Sequence, residues 1–78
     1  MAVETHPLVR FGRKCGWGYE QTAEFFDVPY STFKQMVRGW TGCSFRRAES
    51  FENKSAGKIR AVAVMRWHER NRREREAA

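Results

Sequence analysis

Two prolines, two cysteines and no apolar run long enough to span a bilayer leave this 78-residue chain with few specialised devices. Two cysteines cannot build the disulfide framework of a small secreted protein, and no Cys-x-x-Cys or His-x-x-x-His pair offers a zinc site. Cys15 and Cys43 are therefore expected as reduced, buried thiols, and no metal is expected. Paired carboxylates, an activated nucleophile and a phosphate-cradling glycine loop are also missing, which argues against an enzyme, a cofactor or a small-molecule substrate. The opening MAVETHPLVRF has neither the charged start nor the apolar stretch of a leader. These shortages point to a cytoplasmic protein with no membrane as a partner.

Acid is also scarce. Fifteen Lys and Arg against nine Asp and Glu give a net charge of +6. A small domain with that excess commonly meets a polyanion, and nucleic acid is the most frequent one. Six Phe, three Trp and two Tyr supply the core that so short a chain needs without disulfides. The expectation is one domain over residues 1–78, with a charged helical extension from about 60 to 78.

Strand signals are nearly absent, and the periodicity predicts five helices. The first covers residues 7–15, with Pro7 at the first helical position and Leu8, Phe11 and Cys15 inward. Gly12 weakens it slightly. The second runs from about Tyr19 to Phe26, with Thr22, Ala23 and Phe26 inward. Asp27 and Val28 make a turn, since Asp tolerates the left-handed conformation. A third helix starts at Pro29 and stops at Gly39, with Phe33, Met36 and Val37 inward. Ser44 caps a fourth from Phe45 to about Lys54, with Phe45, Ala48 and Phe51 on one side. The last, from roughly Arg60 to Arg75, is apolar early (Ala61, Val62, Val64, Met65, Trp67) and charged late. The fold class is all-α: a compact bundle of about five helices.

The second and third helices have the attributes of a helix-turn-helix. Ala23 is the small residue where two helices would touch, Asp27 sits four positions on at the turn, and Phe33 lies six further as the buried residue. The stretch GYEQTAEFFDVPYSTFKQMVRG resembles the helix-turn-helix of the phage Cro and lambda-repressor family, the xenobiotic-response-element type. The likeness covers residues 7 to about 60, with Asp27 where Gly is commonest and Val37 where an acid often precedes Arg-Gly. It implies a lambda-repressor-like bundle, a homodimer on double-stranded DNA and no cofactor. It also implies that Pro29, Tyr30, Ser31, Lys34 and Gln35 face base edges, while Tyr19 and Arg38 face the backbone.

The chemistry of these side chains suits that placement. Gln35 can pair with adenine, Lys34 can donate to guanine acceptors, and the Thr32 methyl or the Tyr30 ring can meet a thymine methyl. The third helix carries Lys34 and Arg38 and no acid, whereas the second helix and turn carry Glu20, Glu24 and Asp27 and no base. Arg46, Arg47, Lys58 and Arg60 flank the motif as candidate phosphate clamps. The resulting expectation is a Cro-like transcriptional repressor of phage or mobile-element type. An interaction module on the same fold (an antitoxin or a phage inhibitor of a host protein) and a DNA-bending architectural protein are the alternatives.

The tail WHERNRREREAA admits three roles. Glu69 to Arg73, Arg70 to Glu74 and Arg72 to Glu76 are spaced as ion pairs of a solvated helix. The arginines also suit DNA contact. Val64, Met65 and Trp67 suit either the core or a dimer seam. His68 reads as a helix-surface residue.

Overall fold

The computed structural model describes residues 5–77, so Met1–Glu4, the start of the segment read above as no leader, lie outside the described residues. The helices are α1 (Pro7–Lys14), α2 (Tyr19–Phe25), α3 (Tyr30–Val37), α4 (Phe45–Lys54) and α5 (Ala61–Ala77). No strand occurs among the described residues. α1 packs on α2 and α5, α2 packs on α3, and α4 packs on α5.

The first four helices end in the same way. Behind α2, the Asp27 N–H donates to the Glu24 carbonyl at 3.1 Å and the Val28 N–H to the Ala23 carbonyl at 2.9 Å. Asp27 is left-handed, with φ 57°. This is a Schellman ending, in which a left-handed residue lets the chain satisfy carbonyls that the helix leaves open. Gly16, Gly39 and Ala56 take the same position behind α1, α3 and α4. At the other end of α4, the Ser44 hydroxyl accepts the Arg47 N–H at 3.2 Å, the expected cap. The Glu52 carboxylate of α4 accepts the Ala61 N–H at 2.7 Å and so caps α5.

Leu8, Phe26, Phe33, Met36, Phe51 and Val64 form the heart of the core. Each such side chain contributes about 1.5–3 kcal/mol by leaving water. Phe26, at the end of α2, reaches Phe51 of α4 at 5.4 Å between ring centroids. Gly12 marks the close approach of α1 to α2, because a Cβ there would run into the Thr22 hydroxyl. That hydroxyl donates to the Gly18 carbonyl at 2.8 Å.

Several expected inward positions are corrected. On α1 the buried stripe is Leu8, Val9 and Gly12; Phe11 is half-buried and Cys15 is exposed. The α1 face is rotated because the glycine, not a large side chain, faces α2. Cys43 is only half-buried. Phe45 and Val62 stand 53% and 50% exposed, on the outer side of the α4–α5 pair. Val64 and Trp67 are buried within the chain, so they complete its core and are not available as a dimer seam. Ile59, in the loop before α5, is buried as well.

His68 is not a surface residue. Its Nε2 lies 3.0 Å from Nε2 of His6, which is itself 1% exposed and rests edge-on against Trp67 at 4.6 Å. His6 caps α1 by accepting the Leu8 N–H at Nδ1, 3.1 Å away. A nitrogen that accepts a proton carries none, so neutral His6 keeps its proton on Nε2 and donates it to His68. His68 Nε2 must then be bare, with its proton on Nδ1. Burial, and then the neighbouring His68, hold the His6 pKa down to about 3, and burial lowers that of His68. The pair clasps the start of α1 to α5.

Candidate nucleic-acid interface

α3 has one face for the core and one for solvent. Phe33, Met36 and Val37 are buried; Pro29, Tyr30, Ser31, Gln35 and Arg38 are exposed, and Thr32 and Lys34 are half-buried. Positions 30, 34 and 38 lie one turn apart in a row, with Ser31 and Gln35 in the row beside it. At 1.5 Å per residue the first row is about 12 Å long. The Lys34 ammonium sits 5.0 Å from the Tyr30 ring centroid, and the Arg38 guanidinium 5.3 Å from that of Trp40. Each cation thus leans on an aromatic face, which limits its rotamers while leaving the charge in water.

Two further contacts set the position of this helix. Tyr19, at the first turn of α2, lies edge-on to Phe33 at 5.6 Å and remains 37% exposed. At the far end, the buried Asn71 of α5 donates through Nδ2 to the Gly39 carbonyl at 3.0 Å. Gly39 is left-handed, and a Cβ on it would strike the Asn71 side chain. The end of α3 is therefore pinned to α5.

The charge around α3 is segregated. Glu20, Glu24 and Asp27 line a shallow depression at the elbow with Pro29 and Tyr30, whereas α3 carries no carboxylate. A phosphate-lined groove repels carboxylates, so only the α3 side of this elbow suits a polyanion.

The expected residues fall into two sets. Pro29, Tyr30, Ser31, Thr32, Lys34, Gln35 and Arg38 come together on or beside α3, with Tyr19 adjacent through Phe33. The four flanking cations do not join them as one group. Lys58 and Arg60 line a cleft against α1, and Arg60 stands 3.7 Å from Glu52. Arg46 lines a depression with Phe45 and Val62. Arg47 stays beside the loop after α3, where burial pushes the Cys43 thiol up and the Arg47 charge opposes it. Trp40 was missed. It is 61% exposed, and the signal available in the sequence was an aromatic residue between Gly39 and Gly42, where no core position is due. No group of three His, Cys, Asp or Glu among the described residues is placed to hold a metal ion, and no described helix is long and apolar enough to cross a membrane.

Compared with family models, curated proteins and solved structures, the chain matches none, so the family likeness rests on the quoted residues alone.

Proposed function

We propose that the chain is a sequence-specific DNA-binding regulator whose α2 and α3 act as a helix-turn-helix, with α3 lying in the major groove. The observation that carries this reading is the solvent face of α3, which combines two cations, a hydroxyl, an amide and an aromatic ring with no carboxylate. Gln35 pairs with adenine in bidentate fashion, Lys34 donates to guanine, and the Tyr30 ring meets a thymine methyl. Tyr19 and Arg38 hold phosphates and set the register, and Ser31 faces the base edges. Trp40, under Arg38, supports the backbone contact from outside the helix. Repression follows from occupancy, with a homodimer placing two copies of α3 in successive major grooves about 34 Å apart. Exposed Phe45 and Val62 replace Val64 and Trp67 as the apolar contact of that homodimer.

The test is selection of duplexes from a random library by the purified protein, followed by binding of the Lys34→Ala and Gln35→Ala variants. A shared sequence should emerge, and each variant should lose on the order of 1–3 kcal/mol on it, with Gln35→Ala, which removes no charge, binding scrambled DNA nearly as before. Parent-like binding by both variants would remove α3 as the reader. The interaction-module reading would then lead.

A further inference from the structure

A second basic surface lies outside the α3 face. α1 and the segment entering α5 enclose a cleft of about 590 Å³, a volume in the range of small-ligand sites, about 300–1,000 Å³. The cations that face the opening come from both sides: Lys14 from α1, and Lys58 and Arg60 from the segment before α5. Among the described residues no carboxylate contributes to its lining. The Glu52 carboxylate approaches Arg60 only to 3.7 Å, with the Arg60 side chain 72% exposed.

The floor is different in character. Phe11 is half-buried, Ile59 is buried, and Ala63 is exposed at the start of α5. Both walls are held by the fold, since α1 packs on α5 and the His6–His68 pair ties the start of α1 to that helix. A phosphate backbone has no use for an apolar floor. A peptide with one apolar side chain among carboxylates satisfies both parts of the cleft, the side chain on Phe11, Ile59 and Ala63 and the carboxylates on the rim.

We infer that this cleft is a docking site for an acidic segment of a partner protein, anchored by a single large apolar side chain. The inference does not depend on whether α3 reads DNA. It identifies how a second protein engages the chain on a surface that shares no lining residue with α3.

The probe is a short fluorescein-labelled peptide of aspartate and glutamate around one central leucine, titrated against the full chain by anisotropy. A second peptide replaces that leucine with serine at unchanged charge. Ala63→Trp fills the cleft without altering charge at an exposed position, and Lys14→Glu reverses one rim charge; circular dichroism confirms that both stay helical. The leucine peptide should bind the parent, and the serine peptide, Ala63→Trp and Lys14→Glu should each weaken binding by about tenfold. Equal binding of the two peptides, parent-like binding by Ala63→Trp, or no binding to the parent would overturn the inference. So would a loss of duplex-DNA affinity in Ala63→Trp, which would assign the cleft to nucleic acid.

Discussion

α3 and α5 are both basic helices, and the difference between them lies in how the charge is arranged. α3 with its cap carries one lysine and one arginine; α5 carries five arginines and three glutamates. Both have a net charge of +2. On α5 the acids are interleaved with the bases, and Glu69 accepts a hydrogen bond from Arg73 at 2.8 Å. On α3 no acid competes, and the cations rest on Tyr30 and Trp40 instead. Net charge alone would choose neither helix for a polyanion. The inner faces differ too: α5 uses Val64, Trp67 and Asn71 to hold the bundle and the end of α3.

The strongest attack on that contrast is on the inner face of α5. Trp67→Ala should cost about 3–5 kcal/mol in urea denaturation. A loss below about 1 kcal/mol would mean that α5 does not support the core.

Acid should attack the same helix through the His6–His68 clasp. His6 titrates near 3 in the folded chain, against an ordinary value of 6.5. The unfolded chain therefore binds more protons between these values, and stability, complete above pH 6.5, falls as the pH drops toward 3. The loss amounts to roughly 1 kcal/mol per pH unit within that window. His6→Asn retains a capping side chain and removes the titration, so its melting temperature should vary less with pH over this range. An equal slope in both proteins would place the acid sensitivity elsewhere.

A smaller effect sharpens the α3 side. Asp27 is left-handed, so Asp27→Gly should hold or raise stability by up to about 1 kcal/mol, while Asp27→Val should lower it. Thermal melts in which both are tolerated equally would contradict the elbow geometry.

Local signals carried most of the fold. Pro7, Ser44 and Gly39 marked helix ends, Asp27 marked the elbow, and the 3.6-residue period separated Phe33, Met36 and Val37 from the residues outside. What was not legible depends on contacts distant in sequence. Gly12 reads as a weak helix former, yet its missing Cβ is what lets Thr22 approach. His6 and His68 are 62 positions apart, and neither neighbourhood suggests a partner. Phe45 and Val62 fit the period of their own helices, but the α4–α5 packing turns them to solvent. For the candidate site, pattern was enough to assemble the α3 residues. It could not group Lys58 and Arg60 with Arg10 and Lys14, because that cleft is made by tertiary packing.

The central claim is that the outer face of α3, not that of α5, meets the polyanion. The salt dependence of duplex binding tests it directly, with the slope of log affinity against log salt measured for the parent, Arg38→Ala and Arg73→Ala. Arg38→Ala should reduce the slope by about one, and Arg73→Ala should leave it unchanged. A reduced slope in Arg73→Ala with an unchanged slope in Arg38→Ala would contradict the account and move the DNA contact to α5.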